Sequence, residues 1–533
     1  MIAVILNEAG FEYDIHSLVK AFYPGTEVKV FMEGTKEILS DAGFPLIKIV
    51  RSSERIELLL YKCPKEGWQE KNRPLAEQLD RLKPVYAKEI LLRDQAHTEQ
   101  PNLPRQACSP GVAFLPEPEI RSEAEIWKRH VKNRLKQLIY QVLSAYTDST
   151  LPWGALTGIR PTKIAVGLLE EGRTEEEVFR YMKNTYYASE EKITLSLEIA
   201  RRERKLLSCI HTRDGYSLYI GIPFCPTTCL YCSFTSYPIC KWKDRVGEYL
   251  AALEREIENT AELFADRILD SVYIGGGTPT TLSAGELEQL LSKVRASFSF
   301  EHVKEFTVEA GRADSITEDR LEVLKQYGVT RISVNPQTMN DETLRFIGRQ
   351  HTVEQVIDTF HMARRLGFDN INMDIILGLP GETAAHVRNT AEAVKALSPD
   401  SLTVHSLAVK RASRLSQWVQ ENGLRTMRNS DEFMKIAAQT AAEMRMKPYY
   451  LYRQKNMSGN FENVGYAREG CFGIYNVLIM EEKQTIVACG AGSVSKRVYP
   501  DGRIERCENV KDVASFIERI DEMIERKRKL LGD

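Results

Sequence analysis

The sequence predicts an α/β protein centred on a partial (βα)6 TIM-like barrel over residues 213–410, with an N-terminal α/β plus helical extension and a C-terminal α+β region. Three observations predict this. From about Tyr216 onward, six short β-type runs alternate with helical runs of ten or more residues. Such alternation demands a parallel sheet with right-handed crossovers, and six units fall short of the closed ring of eight. Ahead of them, residues 1–70 hold short apolar runs, whereas residues 71–212 shift to apolar residues at three- and four-residue spacing.

In the first 70 residues the runs MIAVIL, EVKVFM, PLIKIV and IELLLY stand between turn-formers and read as strands of a small α/β module. Glu123 to Tyr146 and Thr174 to Leu207 read as amphipathic helices, with the turn-rich LPWGALTGIRPTK between them. The barrel strands are SLYIGIPF, SVYIGGG, EFTVEAG, RISVNPQ, NINMDIILG and SLTVHSLAV, separated by helices ending near Leu263, Phe298, Tyr327, Gly367 and Leu397. Active-site residues are expected at the C-terminal ends of these strands. Beyond Val409, residues 411–533 carry one or two helices, a β run at YYLYR, the turn-rich CGAGSVS and a charged final helix.

The length of 533 residues predicts roughly two to four domains. A formal charge of −2, from 72 basic and 74 acidic side chains, gives no global attraction to nucleic acid or an anionic membrane, so any anionic ligand must find local cations. The opening MIAVILNEAG lacks the basic start and the length of a signal peptide, and no apolar run reaches the roughly 18 residues of a membrane helix. The expected compartment is the cytoplasm. Ten cysteines, three of them within eight residues, suit reduced thiols and metal chemistry better than a disulfide framework.

Those three, Cys225, Cys229 and Cys232, stand in C-x3-C-x2-C spacing directly after the first barrel strand. Three thiolates over a barrel mouth can each bind one iron of a four-iron cube and leave the fourth iron open to a substrate. The competing readings are a zinc site or incidental thiols; zinc prefers paired knuckles, and no second knuckle is nearby. Cys240, Cys471 and Cys489 read as buried thiols. Gly275, Gly276, Gly277, Thr278 and Pro279 end the second strand, where glycine lets backbone approach a ligand without Cβ interference. Glu309, Gln337, Arg349 and Asp374 lie on or just beyond later strands, as polar groups facing one mouth would; a solvated loop charge or a strand-end hydrogen bond is the competing reading of each.

C-x3-C-x2-C after a strand resembles the radical S-adenosylmethionine superfamily over roughly residues 215–410. The segments YIGIPFC, YIGGGTPTTL, FTVEAG, RISVNPQTMNDETLRFIGRQHT and NMDIILGLPGET resemble its oxygen-independent coproporphyrinogen III dehydrogenases and their relatives. LTGIRPTK, PYYLYRQKN and the long N-terminal extension are most similar to the HemZ branch. The resemblance implies one 4Fe-4S cluster on Cys225, Cys229 and Cys232, and S-adenosylmethionine on Tyr219, Tyr231, Gly276, Gly277, Thr278, Glu309, Gln337, Arg349, Asp374 and Ala408. That family places two such cofactors in one site. It also implies a low-potential electron donor such as flavodoxin or ferredoxin, and oxidative decarboxylation of two porphyrinogen propionates to vinyl groups.

A tetra-anionic porphyrinogen calls for cations. Arg160, Lys163, Lys410, Arg411 and Arg453 are the candidates, because they sit beside turn-formers or aromatics or at a strand end; a structural salt bridge is the competing reading of each. His405 in the sixth strand reads either as a substrate contact or as a satisfied buried histidine. LPWGALTGIRPTK, over residues 150–165, is expected to cover the barrel mouth. Two departures bear on the substrate. Ser233 and Phe234 follow Cys232 where the coproporphyrinogen dehydrogenases carry a fourth cysteine, a feature shared with related haem-trafficking proteins. The H-N-x-x-Y-W signature of those carriers is replaced by GIYNVLIM, which keeps Asn476 alone. The alternatives are therefore a haem-binding carrier on a radical scaffold, or an enzyme that opens the haem ring by radical methyl transfer.

Overall fold

The computed structural model describes residues 1–33, 45–62, 83–92, 122–158, 160–410, 412–423, 429–454 and 460–532. Arg411, a candidate substrate cation, lies outside the described residues. The chain divides into two compact units, residues 1–159 with 168–194, and residues 160–167 with 195–533.

The first unit is built on five strands, β1 (Ile2–Leu6), β2 (Val28–Met32), β3 (Leu46–Arg51), β4 (Arg55–Tyr61) and β5 (Tyr86–Leu91), in the order β2-β1-β3-β4-β5. β1 pairs in parallel with β2 and β3, and the β3-β4-β5 edge is antiparallel. The alternating apolar residues Ile2, Val4 and Leu6 meet Ile15 and Leu18 of the helix Glu12–Phe22 and Leu138 and Val142 of the helix Glu123–Thr147 in one core. The longer helix starts at a capping box in which Ser122 and Glu125 satisfy each other's backbone N–H groups. The sheet therefore runs past residue 70: β5 lies in the stretch expected to be helical, because YAKEIL is too polar to announce itself as a strand and is held by pairing with β4.

The second unit holds the six barrel strands where the sequence places them: β6 (Gly215–Ile222), β9 (Ile268–Gly276), β10 (Glu305–Gly311), β11 (Arg331–Val334), β12 (Ile371–Leu377) and β13 (Ser401–Ser406). Each pairs in parallel with the next. A two-residue ladder, β7 (Phe224–Cys225) with β8 (Tyr237–Pro238), brackets the cysteine loop.

The C-terminal residues do not stand apart as their own α+β region. β14 (Lys447–Tyr452) and β15 (Asn463–Ala467) extend the sheet antiparallel beyond β13. β16 (Thr485–Cys489) pairs in parallel with β6, giving a seventh parallel strand, and carries β17 (Val494–Val498) and β18 (Ile504–Glu508) outward. All belong to one eleven-stranded sheet, β14-β15-β13-β12-β11-β10-β9-β6-β16-β17-β18. The pairing of β16 with β6 spans more than 250 residues, Thr485 against Tyr216, and leaves no local pattern to read.

Candidate active site

The cysteine loop is held by backbone on several sides. Gly277 N–H donates to Ile222 O and Thr278 N–H to Phe224 O, both at 2.7 Å, so the end of β9 is zipped to the start of the loop. A Cβ on Gly277 would lie 2.4 Å from the Phe224 carbonyl oxygen, and Gly276 has φ +111°, so both positions need glycine for the approach of two backbones. Leu230 N–H donates to Ile347 O, Leu415 N–H donates to Leu230 O, and the Thr227 hydroxyl donates to Gly348 O. Residues after β11 and β13 thus clamp the loop's far side.

Within this frame Cys225 and Cys232 are half-buried and Cys229 is buried. Cys225 Sγ lies 3.5 Å from the Thr278 hydroxyl, and Arg312 donates to Cys229 Sγ at 3.6 Å and to Thr227 O at 2.9 Å. Burial pushes the free Cys225 thiol up to about 11, with the Thr278 contact pulling the other way. Among the described residues no three His, Cys, Asp or Glu side chains close on one ion.

The residues expected around S-adenosylmethionine converge on this end of the sheet. Tyr231 OH accepts from Arg349 at 3.3 Å, and Arg349 also donates to Asn335 O. Gln337, with φ +67°, donates its N–H to Asp374 O and accepts from Ile376 N–H. Asn372 donates to Asp374 at 2.7 Å, and His405 Nε2 stands 3.8 Å from Asp374, so this carboxyl stays below the usual carboxylate range although burial opposes it. Tyr273 OH donates to Glu309 at 2.5 Å. Burial raises Glu309 to about 7, the Tyr273 bond working against it and the Asp374 charge adding to it. Ala408 lies two residues beyond β13.

Three buried polar atoms here have no protein partner: Arg349 Nε, Gln337 Oε1 and Asn335 Oδ1. Unsatisfied buried donors and acceptors at one place are what a polar ligand fills.

The substrate cations separate. Arg160 and Lys163 are committed to Glu482, at 2.5 and 3.5 Å, and Lys496 and Arg506 join the same carboxylate at 3.2 and 3.0 Å. Glu482 precedes β16, at the end of the sheet where the parallel strands begin, away from the cysteines. This places Arg160 and Lys163 far from the mouth that residues 150–165 were expected to cover: one buried carboxylate gathers four cations. Lys410, by contrast, lies over the Phe234 ring at 5.2 Å, close after Cys232. Arg453 is buried directly after β14, donates to Asn460, and is lowered by burial to about 10. Of the three cysteines expected to be buried, Cys489 is, Cys471 is half-buried and Cys240 is exposed.

The pattern of the Radical SAM superfamily matches residues 219–394. The HemZ protein of Bacillus subtilis, named an oxygen-independent coproporphyrinogen-III oxidase-like protein, is 42% identical over 415 residues, 77% of this chain and 83% of that protein. The chain belongs to the HemZ family of radical SAM proteins. Shorter stretches are similar to the heme chaperone HemW of Bacillus subtilis (40% identical, 36% of this chain and 51% of that protein) and to the oxygen-independent coproporphyrinogen III oxidase of Salmonella typhimurium (35% identical, 36% and 42%).

The cofactors of the radical SAM superfamily are a 4Fe-4S cluster and S-adenosylmethionine. The three thiols and the unsatisfied atoms of Asn335, Gln337 and Arg349 fit both. In this HemZ-family chain two features carry no motif in the sequence: Arg312, a lone basic residue one step beyond β10, and the packing of Tyr273 and Tyr475 against Tyr219, which is itself among the expected cofactor residues. Tyr219 and Tyr273 face each other across β6 and β9, and Tyr475 lies 4.4 Å from the Tyr273 ring. Tyr475 stands where the haem carriers' signature has histidine. It comes from the helix Ile474–Glu481, whose first N–H groups donate to Glu305. Asn476 donates to Tyr449 OH, a structural bond.

Proposed function

We propose that this chain carries out, in the cytoplasm, the oxidative decarboxylation of two coproporphyrinogen III propionates to vinyl groups, using one cluster, one or two S-adenosylmethionine molecules and a low-potential electron donor. The observation that carries the reading is the convergence of three cysteines with unsatisfied Arg349, Gln337 and Asn335 at one end of a parallel sheet. The names of the Bacillus subtilis HemZ and Salmonella typhimurium relatives support the substrate.

A cluster held by Cys225, Cys229 and Cys232 would supply one-electron reduction of a bound S-adenosylmethionine, and with it the capacity to abstract hydrogen from a substrate. The chain's own residues do the rest. Cys225, Cys229 and Cys232 bind iron, and Thr278 and Arg312 fix two of their sulfurs. Tyr231, Gly276, Gly277, Thr278, Glu309, Gln337, Arg349, Asp374 and Ala408 form the cofactor's surroundings, with Tyr219 in the tyrosine stack beneath. Lys410, Arg411 and Arg453 are the candidate cations for the propionates, and His405 stands between Asp374 and Tyr452 OH, which lies 3.4 Å from its Nδ1.

The test is anaerobic reconstitution followed by chromatography of the products formed from coproporphyrinogen III, S-adenosylmethionine and a strong reductant. The expected result is protoporphyrinogen with matching methionine and 5'-deoxyadenosine. Tight stoichiometric haem uptake with no tetrapyrrole turnover would make the chain a carrier instead, and a ring-opened methylated product would make it a haem-opening enzyme.

A further inference from the structure

The cysteine loop has a second neighbour besides the cofactor residues. A cleft of about 630 Å3 runs beside it, one wall formed by Pro226, Thr227 and Thr228, the residues that separate Cys225 from Cys229. The opposite wall presents Arg345, Arg349 and Arg414, and no acidic side chain lines the cleft. None of Tyr219, Glu309 or Asp374 reaches it. Arg349 is buried and occupied with Asn335 and Tyr231. Arg345 and Arg414 are exposed, and each donates to a main-chain oxygen, Asp341 O at 3.2 Å and Thr228 O at 3.4 Å, with no carboxylate partner among the described residues. Next to Arg345, Phe346 is 44% exposed and meets Trp418 edge-on at 5.6 Å.

We propose that this cleft is the docking surface for an acidic, low-potential electron-carrier protein of the flavodoxin kind. The inference rests on the radical chemistry above, which needs one electron delivered to the cluster. Two guanidiniums without a carboxylate partner among the described residues, one of them next in the chain to an exposed aromatic ring, are the residue types that anchor protein interfaces. Their uncompensated charge selects a negative partner and speeds its encounter. Position completes the case: a carrier seated there meets Pro226, Thr227 and Thr228, the stretch of loop that joins Cys225 to Cys229.

The experiment uses the reconstituted full-length chain, purified flavodoxin as the probe and the double charge reversal Arg345→Glu with Arg414→Glu. Flavodoxin binding to the unaltered chain is expected to weaken as salt rises, and the double variant binds about tenfold or more weakly at low salt. Flavodoxin-driven 5'-deoxyadenosine formation falls in parallel, and Arg345→Glu alone, which keeps the Arg414 bond to the cysteine loop, leaves the dithionite-driven rate unchanged while lowering the flavodoxin-driven one. Phe346→Ala weakens binding with less effect on the salt dependence. Alkylation of Cys240, which lines the cleft, is slowed by flavodoxin in the unaltered chain and not in the variant. A double variant that binds flavodoxin as tightly as the unaltered chain and is driven by it equally fast would overturn the proposal. Failure of the radical reading shows separately, as no 5'-deoxyadenosine with dithionite from the unaltered chain.

Discussion

Arg312 ties Cys229 to Asp314 through one guanidinium: Nη1 donates to Cys229 Sγ at 3.6 Å, and Nε and Nη2 donate to the two Asp314 oxygens at 2.9 and 2.6 Å. A positive donor on a cluster sulfur favours the reduced cluster. Arg312→Ala is expected to lower the cluster's reduction potential in an EPR-monitored titration, with Arg312→Lys falling between. An unchanged or higher potential in Arg312→Ala would remove this role.

Arg349 donates to Tyr231 OH and Asn335 O, and in the proposed function it borders S-adenosylmethionine. Arg349→Ala should weaken S-adenosylmethionine binding by about 1.5–3 kcal/mol, the scale of hydrogen bonds to charged groups, read by calorimetry on the reconstituted protein. Arg349→Lys should recover little of it, because an ammonium cannot replace the planar fork.

Glu309, raised to about 7, is neutral below that pH and negative above it. S-adenosylmethionine is cationic at its sulfonium and amino group, so its affinity should climb as pH rises through about 7. In Glu309→Gln the same calorimetric profile should be flat over that window. A step of equal size in the variant would assign the titration to another group.

Glu203, in the helix Glu190–Leu207, is fully buried near Glu481; neither of its carboxyl oxygens has a partner, and burial raises it well above the usual range. Because the folded value lies above the unfolded one, the neutral carboxyl's contribution to stability is complete below the unfolded value and is lost as pH rises through the folded value. Glu203→Gln should therefore melt higher than the unaltered protein at alkaline pH, the gap closing towards acid. Scanning calorimetry across pH checks this, and an equal or lower melting temperature at alkaline pH speaks against it.

Glu482 has the opposite sign. Its carboxyl is held down to about 2, burial opposing and Arg160, Lys496 and Lys163 prevailing. Its contribution is present above the unfolded value and lost as pH falls through about 2. Glu482→Gln should cost about 1–2 kcal/mol at neutral pH after allowance for solvent screening, seen as a lower denaturant midpoint, and should spare S-adenosylmethionine binding, since the hub lies at the far end of the sheet.

The legible part of this molecule is its local part. SLYIGIPF through SLTVHSLAV announce six strands because β-branched runs alternate with amphipathic helices, and Cys225, Cys229, Cys232, Thr278 and Glu309 lie at strand ends where a barrel mouth must be. What escaped depends on distant pairing. TIVAC becomes β16 only because β6 offers it an edge, and Tyr475 reaches Tyr273 because Glu305 caps its helix from the start of β10. Arg160 and Lys163 were misplaced for the same reason: their partner, Glu482, is more than 300 residues away, and nothing beside them in the chain reveals it.

The central claim is that this site removes a hydrogen from a propionate side chain of coproporphyrinogen III. The direct measurement is mass spectrometry of 5'-deoxyadenosine formed during anaerobic turnover of substrate deuterated at the propionate β-carbons. The account predicts one deuterium transferred into 5'-deoxyadenosine, loss of carbon dioxide and a vinyl product, all absent in Cys225→Ala. 5'-Deoxyadenosine that carries no deuterium, with the porphyrinogen returned intact, would contradict it.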